Sequence, residues 1–265
     1  SAGAMGTGFA VGKTGGPVEY IVTNGHVVEL GYMGPKVYQG QTASAGVQVY
    51  FSAAENDYVA AEVVYYSPSD EKDIAIIRLP SKTDKRTAIA IKDADTVAIG
   101  DTAYALGYPG VASSSQQFNT YDENDITLTK GIISKRTKPA WSNYDAFQMD
   151  VYINHGNSGG PLVDEHGFLI GINSSGAVDE QGKSEGVNFA ITSAELMKVL
   201  NSENIKYTTA SGGLSGIPSW FAYVFLPIGV LALVGGIILL VMLQKKGQNV
   251  STFAGAAANA GANNV

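Results

Sequence analysis

The chain of 265 residues contains no cysteine, only three histidines and two tryptophans. Without cysteine there is no disulfide framework and no Cys/His metal cluster. A domain of this length can bury enough surface to be stable unaided, so the lack does not by itself demand a reducing compartment. No HExxH or EF-hand spacing occurs either, and no metal or organic cofactor is implied. Charge is also sparse, at 15% of residues, with a formal net charge of −7. Past residue 207 the only charged side chains are Lys245 and Lys246, so the acidic excess belongs to the preceding part. No basic stripe with interleaved aromatics is present, and an acidic surface repels phosphate backbones, which argues against a nucleic-acid partner. The run at 82–86 holds two lysines and an arginine and reads as a solvated linker. No signal-type segment opens the chain.

Glycine is plentiful, with 32 residues, and its most informative placement is His155-Gly156-Asn157-Ser158-Gly159-Gly160-Pro161. A serine hydroxyl is a poor nucleophile at neutral pH. A sequence that activates one must hold it on a tight turn beside backbone N–H groups. Gly156 can take the positive φ that turns its N–H toward the N–H of Ser158, forming with Asn157 between them an oxyanion hole. A glycine-rich hairpin turn with an incidental serine is the plainer alternative. A nucleophile needs a histidine base and a carboxylate to orient it. The apolar run 20–28 reads as a strand with His26 at its mouth, and Asp73 stands at the leading end of a second buried run, 74–79. The three candidates occur in the order His, Asp, Ser.

With those residues identified, Thr7-Gly8-Phe9-Ala10-Val11, Thr23-Asn24-Gly25-His26-Val27-Val28, Asp73-Ile74-Ala75-Ile76-Ile77, Gly131-Ile132-Ile133-Ser134 and the segment from Gln148 to Pro161 resemble trypsin-like serine peptidases. The branch they resemble most is the bacterial HtrA/Deg one. The resemblance covers residues 6–191 with its motifs in family order. It implies an all-β fold of two antiparallel six-stranded β-barrels, with His26 and Asp73 from the first, Ser158 from the second, and a closing helix. Asn157 departs from the aspartate that precedes the nucleophile in peptidases activated by trimming, because an amide cannot pair with a new N-terminal ammonium. By the same resemblance Tyr152, Ile153, Asn154, His155, Asn173, Ser174 and Ser175 line the substrate pocket, with Tyr152 at its base. A tyrosine there favours small to medium apolar P1 side chains over Arg and Lys, unless the phenol swings out or the loop 174–186 contributes Asp179 or Glu180.

Short β-type runs separated by turn signals divide the chain as expected for two barrels, about 1–90 and 91–191. The boundary falls in the polar stretch 80–95, and a closing helix at about 192–203 is capped by Thr192 or Ser193 with Glu195 close behind. The domain so defined spans 1–207. Its start at Gly6-Thr7-Gly8-Phe9 looks like the interior of a barrel, as in a processed or truncated chain. Two connections, 31–46 and 110–125, are long; the resemblance implies that they gate activity or shape the substrate cleft, and surface loops with no such role are the alternative.

A Ser/Gly-rich tether at 208–217 leads to an uncharged run from Trp220 to Leu243. As a helix it measures about 36 Å against a hydrocarbon core of about 30 Å. It reads as a single transmembrane helix at 218–244, and the lipid bilayer is therefore an expected partner. Trp220, Phe221 and Tyr223 form an interfacial belt at one end, and Lys245 and Lys246 flank the other. This orientation puts the tail, 245–265, in the cytoplasm and the preceding domain outside. The tail is Ala-, Gly- and Asn-rich and reads as disordered. No PDZ module follows the protease-like part. These expectations describe a membrane-anchored serine endopeptidase acting on protein or peptide substrates, of unspecified oligomeric state. The rival is a silent binding or sensing module on the same fold. A lipase or esterase fails, since its triad runs Ser, acid, His among alternating helices.

Overall fold

The computed structural model describes residues 5–34, 36–38, 41–43, 46–52, 57–108, 126–153, 156–178 and 184–210. All of them fall in one unit, Ser1–Ala210. The expected transmembrane run and tail, the loop 110–125, and the residues Asn154, His155, Asp179 and Glu180 lie outside them. Among the described residues no helix is long and apolar enough to cross a membrane.

The first layer is an antiparallel sheet of β1 (Phe9–Val11), β2 (Val18–Thr23), β5 (Val47–Tyr50), β6 (Tyr58–Tyr66) and β7 (Ala75–Thr83). Its strand order is β1-β2-β7-β6-β5. The expectation of a closed six-stranded first barrel is corrected here: among the described residues β1 and β5 are open edges, and no strand bridges them. Part of the expected loop 31–46 is instead a separate hairpin, β3 (Lys36–Tyr38) with β4 (Gln41–Ala43). β7 also runs through Pro80 into the stretch read as a linker. A register shift opposite Val18 to Tyr20 accommodates it, which is where a sheet tolerates a residue lacking an N–H.

The second layer is a closed barrel of β8 (Thr102–Gly107), β9 (Thr127–Thr137), β10 (Ala146–Met149), β11 (Pro161–Val163), β12 (Leu169–Val178) and β13 (Ser184–Thr192), in the order β10-β13-β12-β11-β8-β9. Alternation drives its closure. Val97, Ala103, Ala105, Ile133, Phe147, Met149, Leu162, Ile170 and Ala190 point inward and are buried together. A further cluster joins Phe9, Val11, Val22, Ile74 and Ile76 of the sheet to Tyr144, Leu169, Ile172, Ile191 and Leu196. It packs one layer on the other, so residues 150 or so apart in sequence meet along the seam.

Among the described residues two α-helices pack on these layers. α1 (Gly25–Tyr32) lies where the sequence suggested a continued strand. α2 (Ser193–Ser202) is the expected closing helix, with Leu196, Val199 and Leu200 on its buried face. The expected side-chain cap does not form: Thr192 is the N-cap residue, but its side chain makes no cap bond, and Glu195 turns to Lys72 and Lys198. Beyond α2 the chain stays on the domain through residue 210, because Thr208 and Ala210 donate backbone N–H groups to Gly12 and Ile91.

Candidate active site

The site lies on the seam, and each of its candidate side chains is set by a turn rather than by a strand interior. β2 ends at Thr23, and His26 occupies the first turn of α1, not the end of a longer strand as the apolar run 20–28 suggested. Val27 and Val28 favour extended backbone locally, but a tertiary contact prevails. The N-cap Asn24 makes no cap bond, and its Nδ2 donates to the Asp73 carbonyl at 2.9 Å. The Asp73 carboxylate takes over the capping role: its Oδ1 accepts the His26 backbone N–H at 3.1 Å. An anion at a helix start satisfies an orphan donor and suits the helix dipole.

Asp73 sits in a tight turn, with its N–H donated to the Pro68 carbonyl and with φ at 51°. Asp is among the few non-glycine residues that tolerate this left-handed conformation, and the strain persists because several bonds determine it. The carboxylate is almost fully buried, and the His26 ring, 38% exposed, reaches it with Nδ1 at 2.9 Å from Oδ1 and 3.0 Å from Oδ2. The Ser174 hydroxyl donates to Oδ2 at 2.9 Å. Three donors thus converge on one buried anion, and the ring nitrogen that faces it is fixed.

Ser158 lies on the turn between β10 and β11. Gly156 has φ at 102°, a conformation that favours glycine. Gly159 has φ at 81°, and a Cβ there would overlap the Thr23 hydroxyl and the Thr7 carbonyl. The N–H groups of Gly159 and Gly160 are spent on the carbonyls of Asn173 and Asn157, at 2.8 and 2.9 Å. Those of Gly156, Asn157 and Ser158 donate to no acceptor among the described residues. The Ser158 hydroxyl donates to the Ser174 carbonyl at 3.0 Å and makes no bond to His26.

Other expected pocket residues fall differently. Tyr152 is 49% exposed, between buried Val151 and Ile153, and does not form an enclosed base. Its carbonyl accepts from the Thr129 hydroxyl at 2.6 Å. Asn173 is fully buried and structural: its Nδ2 donates to the Leu106 and Pro161 carbonyls, at 3.3 and 3.2 Å. Ser175 is in β12, opposite Phe189. Asn157 is buried, and its side-chain oxygen is unpaired beside Gly107.

Thr7 holds the serine turn in place and was not among the expected site residues. Its hydroxyl donates to the Gly156 carbonyl at 2.7 Å and accepts the Tyr108 N–H at 3.0 Å. Its N–H donates to the Ser158 carbonyl at 2.9 Å, and its carbonyl accepts the Thr23 hydroxyl at 2.7 Å. No local signal marks it, because its partners lie as far as 149 positions away. Only the stretch containing it was legible, through the resemblance.

A trypsin-like peptidase domain model matches residues 6–172. The periplasmic serine endoprotease DegP of Salmonella typhimurium is 32% identical over 218 residues, covering 81% of this chain and 38% of the relative. DegP of Escherichia coli K12 gives the same identity and coverage. A probable DegP-like periplasmic endoprotease of Rhizobium meliloti is 31% identical over 217 residues, covering 81% and 36%. The chain therefore spans less than half the length of these relatives. Among solved structures, the HtrA-type protease AlgW with a decapeptide superposes with a TM-score of 0.55 at 27% identity, over 75% of this chain and 51% of that one. AlgW with a tripeptide gives 0.53 at 26%, over 76% and 57%. From the closed barrel and facing sheet, the three side chains on their seam and these matches together, the chain belongs to the trypsin-like peptidase domain family.

Proposed function

We propose that this chain is a serine endopeptidase in which Ser158 attacks the peptide carbonyl, His26 moves the proton and Asp73 holds the imidazole. The observation that carries it is the geometry around Asp73, whose buried carboxylate binds the His26 ring and backbone and the Ser174 hydroxyl at 2.9–3.1 Å. As Ser158 Oγ bonds to the substrate carbon, its proton passes to His26 Nε2, and the imidazolium is stabilised by Asp73. The oxyanion lies against the N–H groups of the turn 156–158, which donate to no acceptor among the described residues. His26 then returns the proton to the departing amine. A water, deprotonated by His26, releases the acyl group from Ser158. Substrates are proteins or peptides, the class that the AlgW complexes contain.

The finer assignment is a membrane-tethered form. Residues 220–243 supply the span, and the preceding domain faces outward, in keeping with the periplasmic names of the DegP relatives. A second reading, a silent binding module, is favoured by one observation, the Ser158 hydroxyl committed to Ser174 rather than to His26. Labelling with a fluorophosphonate probe separates the two. The full chain should label and Ser158→Ala should not; a folded wild-type chain that fails to label is the silent module.

A further inference from the structure

Asn188 is the only described residue whose side chain leaves both polar atoms buried without a hydrogen-bond partner, and the residue is 1% exposed. A carboxamide stripped of water and given nothing in exchange is costly, and folded proteins keep few such groups. Its position points to a use. β13 places Asn188 between Met149 of β10 and Gly176 of β12. It shares its side of β13 with Ala190, which belongs to the barrel interior together with Met149, Val151 and Ile153.

That end of the interior abuts the candidate site from two directions. Gly176 is two residues past Ser174, whose carbonyl accepts the Ser158 hydroxyl. The distance along the strand is about 7 Å, within reach of one long side chain. On the other flank, Val151 and Ile153 begin the segment that returns to Gly156. The β12 residue opposite Asn188, Gly176, is a glycine.

We propose that a P1 side chain directed from Ser158 between these segments reaches the Asn188 carboxamide, and that Asn188 is the specificity-determining residue of the endopeptidase suggested above, selecting an uncharged amide, glutamine or asparagine. The proposal rests on that assignment and replaces the apolar preference expected from Tyr152. Two carboxamides pair donor to acceptor in both directions and satisfy both orphaned atoms. Leucine or valine fills the volume and leaves both unpaired. Lysine and arginine bring only donors, and no carboxylate among the described lining residues offsets their burial. Sites built around a hydrogen-bonding group discriminate strongly against substrates that lack its partner.

The test measures kcat/KM on peptides that differ only at P1 (Gln, Asn, Leu, Val, Arg), with the full wild-type chain, Asn188→Leu and Asn188→Asp. Fluorophosphonate labelling is measured in parallel. The wild type should favour Gln or Asn over Leu by roughly tenfold or more. Asn188→Leu should invert that order and melt at a higher temperature, since an orphaned amide has been replaced by an apolar group. Asn188→Asp should gain cleavage after Arg, which a merely structural asparagine would not confer. If all three proteins label and share one P1 ranking, the assignment of Asn188 is wrong and the endopeptidase stands. If the wild type neither labels nor cleaves, the endopeptidase proposal fails and takes this one with it. Should neither variant fold, a wild-type preference for Leu or Val over Gln overturns the assignment.

Discussion

The Ser158 hydroxyl donates to the backbone carbonyl of Ser174 at 3.0 Å, so the candidate nucleophile is committed to a carbonyl and not to its candidate base. A carbonyl cannot take the proton, and attack requires Oγ to swing toward His26. Such a bond is worth only about 0.5–1.5 kcal/mol net, and rotation between staggered wells is a small change, so the arrangement is easily left. Catalytic contacts of this kind commonly tighten only once substrate is bound.

If the three side chains work as one unit, their losses do not add. Ser158→Ala, His26→Ala and Asp73→Asn should each lower peptide hydrolysis by roughly 10³-fold or more, and the double variants should be little worse than the singles. Steady-state kinetics on one peptide checks this. Full turnover by Ser158→Ala would sink the assignment.

Ser174 contributes two separable bonds. Ser174→Ala removes the hydroxyl that donates to Asp73 but keeps the carbonyl that receives Ser158. A hydrogen bond to a charged acceptor is worth about 1.5–3 kcal/mol, so kcat should fall by roughly 10- to 100-fold with KM little changed. Ser174→Thr restores the donor and should recover much of the loss. A variant with unaltered kcat would show that His26 alone positions Asp73.

Acid should loosen the seam through Glu195. Burial by itself would raise this carboxyl, but hydrogen bonds from Lys198 and Lys72, at 2.7 and 3.0 Å, hold it below the ordinary value of 4.5. Between that value and the lower folded one, the unfolded chain binds a proton that the folded chain does not. Stability from this group is therefore fully present above about 4.5 and is lost as pH falls through the folded value. Thermal melts from pH 7 to 3 should show Tm dropping in that window, and Glu195→Gln should weaken the drop. Because Lys72 adjoins Asp73, the same titration loosens the turn that carries the acid. An equally steep drop in the variant would assign the effect elsewhere, for instance to Asp164, whose pairing with Lys92 holds it low in the same way.

Lys245 and Lys246 should set the topology of the proposed anchor, since no Lys or Arg occurs in 208–219 on the other flank. A tag at Val265 should then survive digestion of intact cells while the catalytic unit is cleaved. Removal of the tag would reverse the orientation.

The sequence alone determined the features that depend on local chemistry. The serine flanked by glycines needs a sharp turn, and Ser158 lies on one, with Gly156 at positive φ. The one-sided face of Leu196, Val199 and Leu200 required a helix, and α2 forms there. Tertiary structure decided what depends on partners distant in the chain. The apolar run at 20–28 was consistent with strand, and only the Asp73 carboxylate, 47 positions on, makes a helix begin at Gly25. The capping pattern at Thr192 to Glu195 was locally sound, yet Lys72, 123 positions earlier, draws Glu195 away. The open first sheet, the bonds of Thr7 to the serine turn and the unpaired carboxamide of Asn188 likewise arise only when the layers pack. Periodicity and turn chemistry act over a few residues, whereas burial assigns hydrogen-bond partners across the whole chain.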